Sequence, residues 1–233
     1  MCPSAEPAPA VALLDVSEDV LEQLLELALR DADADEVTPP LGTTAGWNTD
    51  RISWFREFHR AAAAGLDGPA GQKTWAISCD GQLAGSVRLK RMDTEPAAAG
   101  EGLAGVSSGA GGGGGRSADG GLAGGGGGSE AGGGGWSADG GAAGGWAVAR
   151  GGGGALETGI WLARSFRGRG VGREALRLVK ARAASAGAAV LVAETTAGNV
   201  GALALLKYAG AELLTGAASE TQTVPVIAKI PLR

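Results

Sequence analysis

Between residues 100 and 154 the chain places 28 of its 44 glycines. A segment in which more than half the residues lack a side chain loses the most backbone entropy on folding. It also has almost no apolar surface to offset that loss. Two near-copies, GGGGRSADGGLAGG (112–125) and GGGGWSADGGAAGG (132–145), repeat with a period of 20. Each offers one bulky side chain at most, Leu122 or Trp136, so repeats of this kind cannot stack into a solenoid core. The composition reads as a flexible coil. Matches to G-x-G-x-x-G occur inside it, at 100–105 and 109–114. Neither follows a strand nor opens a helix, so neither has aligned amides or a helix dipole to offer a phosphate. Whatever folds must therefore be built from what flanks the tract, about the size of one ordinary domain.

The flanks carry regular patterns. AVALLDV (10–16) reads as a strand, and Ser17 caps a helix EDVLEQLLELALR with Val20, Leu21, Leu24, Leu25 and Ala28 at helical spacing. DADADE and TPPLGTTAG follow as a loop, and Asn48 or Thr49 caps DRISWFREFHRAAAAG. KTWAISCDGQLAGSVRLKRM is a hairpin, since Asp80-Gly81 suits a type I′ turn between two β-rich runs. After the tract come strand ALETGIWLAR (155–164), a basic amphipathic helix with Leu176, Val179 and Ala183 inward, and the apolar strand AAVLVAETT. Helix NVGALALLKYAG, strand AELL and strand TVPVIAKIPL complete the chain. The order β-α-α-β-β-(tract)-β-α-β-α-β-β predicts an α/β (α+β) domain, a mixed sheet flanked by helices. Residues 1–94 and 155–233 are its two halves. Residues 95–154 are an insertion in a hairpin connection that ordinarily spans two to five residues.

Several function classes are disfavoured. Cys2 and Cys79 have no metal spacing and are too few for a disulfide framework, and His59 is the lone histidine. The chain shows no secretory leader and no run of about 18 apolar residues, so a cytoplasmic protein with no membrane partner is expected. A nucleic-acid partner is not expected either, and a homodimer is left open. Net charge is −5 but unevenly spread. Residues 1–94 hold 15 acidic and 8 basic side chains, whereas residues 156–233 hold 5 and 10. Such a split fits two binding demands of opposite sign.

The basic demand has an address. RSFRGRGVGREAL (164–176) follows a strand and opens a helix. Gly168, Gly170 and Gly172 let the backbone turn tightly and approach a ligand without Cβ clashes. Amides from Gly168 through Arg173 would converge at a helix N-terminus, with Arg167, Arg169 and Arg173 on the same turn. This is a pyrophosphate cradle by its physics.

RGRGVG also resembles the [Q/R]-x-x-G-x-[G/A] acetyl-CoA signature of the GNAT superfamily of N-acetyltransferases, with Arg167, Gly170 and Gly172 on its fixed positions. NVGALALLKYAG is similar to that family's next helix, with Asn199, Ala202 and Gly210 matching N-x-x-A and a later glycine. The resemblance covers residues 156–214 best. It implies acetyl-CoA as cosubstrate, bound by Trp161, Leu162 and Ala163 on a splayed strand, by Arg167, Gly168, Arg169, Gly170, Val171, Gly172 and Arg173, and by Asn199 and Ala202. It further implies direct acetyl transfer to an amine, with Glu157 at the family's frequent base position; an exposed strand glutamate is the alternative. The family's frequent acid, a tyrosine seven residues after the helix Asn, is replaced here by Leu206. Tyr208 lies two residues on, about 200° around a helix.

The acceptor side is expected in the acidic half. Asp33, Asp35 and Glu36, with Trp47 and Trp54, would favour a small cationic amine through charge and cation–π attraction, such as an aminoglycoside-type antibiotic or a polyamine. A protein or peptide N-acetyltransferase is the same-class alternative, and a GNAT-fold module that binds CoA without catalysis is the other.

Overall fold

The computed structural model describes residues 9–42, 45–92, 154–216 and 224–232. These all fall within one compact unit. The tract, apart from Gly154, lies outside the described residues.

The chain opens with strand β1 (Val11–Asp15) and helix α1 (Glu18–Asp31). Ser17 caps α1 by accepting from the Val20 amide, and Leu21, Leu24, Leu25 and Ala28 are buried. DADADE does not stay a loop. Its second half forms a one-turn helix, α2 (Ala34–Val37), because Asp33 and Glu36 close a capping box around its start. Helix α3 (Thr49–Ala61) is capped by Asn48, and a 3-10 turn at Ala62–Ala64 finishes it.

Strands β2 (Gln72–Cys79) and β3 (Gln82–Arg91) form the expected hairpin. Asp80 and Gly81 both have positive φ, 51° and 81°, as a type I′ turn demands. Then follow β4 (Gly154–Leu162), a 3-10 turn at Arg164–Phe166, α4 (Val171–Ser185), β5 (Ala188–Thr196), α5 (Val200–Tyr208), β6 (Glu212–Thr215) and β7 (Pro225–Pro231).

The strands make one seven-stranded sheet in the order β1-β2-β3-β4-β5-β7-β6. Only β4 and β5 run parallel; the other five pairings are antiparallel. Helix α3 covers the face that carries Thr74 and Arg88, since His59 bonds Thr74 and Phe58 meets Arg88. Val171, Ala175, Leu176, Val179 and Ala183 of α4 join Val87, Leu89, Leu191 and Ile230 of the sheet in one core. Full burial of each larger aliphatic side chain contributes about 1.5–3 kcal/mol.

One pairing positions the functional cleft. β4 and β5 are in register only from Gly154 to Thr158, which lies opposite Ala193. Beyond that point β4 stays with β3 as far as Leu162, while β5 stays with β7 as far as Thr196. The sheet therefore parts along its one parallel seam, leaving residues 159–162 and 194–196 facing a gap.

Gly85 makes the β4 side of this gap possible. It sits opposite Leu162 with φ 152°, and a Cβ there would lie 2.1 Å from the Trp161 carbonyl oxygen. β3 and β4 approach too closely for any side chain, next to an irregularity in the β2–β3 register at Ile77/Ser78.

Candidate active site

The gap between β4 and β5 is a cleft lined by Arg88, Glu157, Thr158 and Ile160 on one side and by Glu194 and Thr195 on the other. Asn199, Ala202, Leu205 and Leu206 of α5 close one end. Leu206, seven residues after Asn199, is a buried wall of this cleft. Tyr208 is 66% exposed and stacks with the Arg173 guanidinium, 4.5 Å from its ring centre; it is not part of the lining.

Strand geometry places the charges. Arg88 is two positions from Lys90, the partner of Glu157, and Glu194 is two positions from Val192, the partner of Glu157 on the other side. Paired residues share a face and so do residues two apart, which puts Arg88, Glu157 and Glu194 on one face. The Arg88 guanidinium is almost fully buried and is ion-paired with Glu157 through Nη2. It also lies over the Phe58 ring, 5.8 Å from the centroid. Phe58 is in turn stacked on Trp54 at 4.7 Å.

Glu194 has a different environment. Desolvation, with the neighbouring Glu157 charge acting in the same direction, pushes its carboxyl above the ordinary range, and Arg88 opposes this only in part. Sequence patterning missed both Arg88 and Glu194. Each sits in a strand that reads as core, and only the register between strands reveals that they meet Glu157.

The glycine turn is built as its spacing suggested, but the backbone favours glycine at only two of its three positions. Gly168 and Gly170 have φ 74° and 83°, conformations that glycine adopts freely, with open space where a Cβ would project. At Gly172 a Cβ would make ordinary van der Waals contacts with Leu162 at 3.4 Å and Leu205 at 3.5 Å, so the packing of the free protein does not demand a glycine there. Gly170 is the N-cap of α4, and its carbonyl accepts from the Arg173 and Glu174 amides. The amides of Val171 and Gly172, in the first turn, have no carbonyl four residues back within the helix. Among the described residues no carboxylate salt-bridges Arg169 or Arg173; they lie over Phe166 and Tyr208.

Arg167 is held differently. Its Nε donates to the Leu162 carbonyl at 2.9 Å, and its terminal nitrogens grip both carboxylate oxygens of Glu36 at 3.0 and 2.9 Å. Asp33 pairs with Arg164, and Asp35 with Arg51 at 2.6 Å. Asp31 accepts from the Ser165 hydroxyl at 2.6 Å and the Ser165 amide at 3.2 Å, and the hydroxyl above all holds its carboxyl below the ordinary range. The DADADE acids are thus bonded mostly to the segment that leads into the glycine turn.

Of the residues picked from sequence, Glu157, Asn199 and Ala202 line the cleft. Asn199 accepts from the Ala202 amide through its Oδ1, as the cap of α5. Trp161 is buried, with its indole Nε1 lacking a partner among the described residues, and the Ala163 amide donates to Ala84. Asp33, Asp35, Glu36, Trp47 and Trp54 are not in its lining. Trp47 instead ties the end of α1 to the loop before α3, through Nε1 to the Ala32 carbonyl at 3.1 Å. Trp54 approaches the cleft only through Phe58 and Arg88. Among the described residues no group of His, Cys, Asp and Glu is arranged to hold a metal, and no helix is long and apolar enough to cross a membrane.

Comparisons with known proteins agree with this arrangement. Residues 117–211 match the family model described as Acetyltransferase (GNAT) family, a match that reaches from within the tract to just beyond α5. No curated protein sequence matches the chain. Among solved structures, the CoA complex of RimL, titled a ribosomal L7/L12 alpha-N-protein acetyltransferase, superposes with a TM-score of 0.56 at 12% identity, covering 95% of this chain and 93% of its own. An acetyl transferase from Salmonella typhimurium, whose title says it modifies the N-terminal serine of L7/L12, gives 0.54 at 11%, covering 95% and 94%. The GNAT domain of S. lividans PAT gives 0.52 at 15%, covering 96% and 90%. The fold is the GNAT fold, and residues 117–211 match that family's model.

Proposed function

We propose that this protein moves acetyl from acetyl-CoA to one primary amine at a time, and that the amine is the α-amine of a peptide or protein. The observation that carries this reading is the distribution of negative charge. The acids that would have held a polycation are engaged by Arg51, Arg164, Arg167 and Ser165. Within the cleft, Glu157 is balanced by Arg88, and Glu194 is the remaining acid of that lining. One net negative charge in the cleft suits a single ammonium group. Proteins of the same fold include RimL, whose title names such an acceptor, which supports the reading by analogy only.

In this reading the glycine turn holds the pyrophosphate of acetyl-CoA on the first amides of α4, with Arg169 and Arg173 adding charge. The backbone of Trp161, Leu162 and Ala163 and the Asn199 side chain bind the acyl-carrying arm in the gap. β4 groups left without a β5 partner polarise the thioester carbonyl. A carboxylate of the cleft takes the proton of the ammonium, so that the neutral amine can attack.

Thiol release from acetyl-CoA, measured with N-terminally free peptides, a polyamine and an aminoglycoside side by side, tests the acceptor. Peptides are expected to turn over, and their Nα-blocked forms are not. Turnover of the polyamine or the aminoglycoside in place of peptides would return the assignment to a small cationic acceptor. If acetyl-CoA binds and no amine releases thiol, the chain is a non-catalytic CoA-binding module.

A further inference from the structure

We propose that Glu194 on β5, and not Glu157 on β4, accepts the proton of the acceptor amine, with Arg88 committing Glu157 to an ion pair that orients the cleft. The inference rests on the acetyl-transfer reading above and assigns its proton acceptor.

Three observations carry it. First, Glu157 already has a counter-ion. Arg88 pairs with it from a nearly fully buried position, itself fixed by the Phe58 ring. Protonating Glu157 would remove the carboxylate charge that faces this nearly fully buried guanidinium, a costly loss in a poorly solvated place.

Second, Glu194 stands on the open side of the fork. It is the first residue of β5 beyond the last β4–β5 pair, Thr158 with Ala193, so its side chain belongs to the mouth of the gap. The parting strands thereby present Glu194 where the β4 residues that would polarise the thioester begin, at Gly159.

Third, its surroundings hold its affinity for a proton above that of an ordinary carboxylate. The charged groups facing it are Glu157 from β4, Arg88 from β3 and, two positions from its β7 partner Ile227, Lys229. Partial desolvation and Glu157 raise the proton affinity of this largely exposed side chain and Arg88 lowers it, with a net rise. A carboxylate of raised proton affinity is a stronger base than an ordinary one.

The step balances as follows. The Glu194 carboxylate takes one proton from the ammonium, and the freed nitrogen lone pair attacks the thioester carbon. The C–N bond forms and the C–S bond breaks. The sulfur leaves with the C–S electron pair and is protonated to the free thiol by the second proton lost from nitrogen, relayed through water. Glu194 then returns its proton to solvent.

The test measures kcat/KM against pH for wild type, Glu194→Gln, Glu194→Asp and Glu157→Gln, with whichever amine releases thiol. It is accompanied by carboxyl NMR titration of the full chain labelled at glutamate Cδ. Wild type is expected to lose activity on an acidic limb that matches the titration of one carboxyl resonance, absent in Glu194→Gln. Glu194→Gln is expected to cost about 100-fold at neutral pH and to abolish the limb, with KM for acetyl-CoA unchanged. Glu194→Asp retains the limb at a reduced rate. Glu157→Gln retains it and moves it to lower pH, because a charge that raised the Glu194 proton affinity is gone. The proposal is overturned if Glu194→Gln keeps the limb, or if Glu157→Gln abolishes it. An error in the acceptor class shows separately: a different amine is turned over, with the same dependence on Glu194.

Discussion

Arg167 and Glu36 meet fork to fork at 3.0 and 2.9 Å across 131 positions of sequence. The pair ties the short helix α2 to the segment that precedes the glycine turn, and Arg167 simultaneously donates to the Leu162 carbonyl. The arginine of the signature is therefore already placed in the free protein. Because the pair is partly exposed, its net contribution is below about 1 kcal/mol. Glu36→Gln should raise KM for acetyl-CoA by no more than about fivefold with kcat little changed, and isothermal titration with CoA should give the same small factor.

At Gly170 the φ of 83° and the open space at the Cβ position separate two effects. Asn and Asp both tolerate the left-handed region. Gly170→Asn and Gly170→Asp should therefore unfold at similar temperatures. Only the aspartate places a negative charge at the helix N-terminus, where phosphate is to bind. CoA affinity should fall about tenfold or more further in Gly170→Asp than in Gly170→Asn, and the gap should narrow in high salt.

His59 gives a pH dependence of stability. It is 2% exposed, its Nδ1 is 3.0 Å from the Thr74 hydroxyl, and it packs 4.6 Å from the Phe55 ring. Burial lowers its pKa from 6.5 to about 4, so the unfolded chain binds a proton that the folded one refuses between those values. Its contribution is fully present above pH 6.5 and is lost as pH falls towards 4, by roughly 3 kcal/mol over that window. Thermal unfolding of wild type should show this decline, and His59→Gln should flatten it.

Gly85→Ala tests the close approach of β3 and β4. A methyl 2.1 Å from the Trp161 carbonyl oxygen and 2.9 Å from the Leu162 Cα must push two central strands apart. Denaturant unfolding should report a loss of about 3 kcal/mol or more. In the protein that remains folded, thiol release should fall as well, since the displaced strand forms one wall of the cleft.

Much of the fold could be read from pattern. The helix of 18–30, the Asp80-Gly81 hairpin and the strand 188–196 stand within a residue of where their periodicity put them. The glycine turn was legible because its chemistry is local: three glycines, three arginines, a strand before and a helix after. What escaped was set by contacts between distant segments. DADADE looked like free negative charge because its main partners, Arg164, Ser165 and Arg167, come more than 130 residues later. Glu194 looked like the polar end of a buried strand, since nothing within AAVLVAETT indicates that its neighbour β4 departs at Thr158. Arg88 lies in a run that reads as core, and its value depends on a glutamate 69 positions away.

The parting of β4 from β5 also leaves a signature in time as well as in space. A strand directs successive peptide groups alternately to its two neighbours, and from Gly159 onward one of those neighbours is missing. Amide protons along residues 159–162 should therefore exchange with solvent in a two-beat rhythm, the slow ones held by β3 and the fast ones facing the gap. A ligand that bonds to the second set would silence the fast beat. The rhythm and its loss would report whether acetyl-CoA occupies the seam, peptide by peptide.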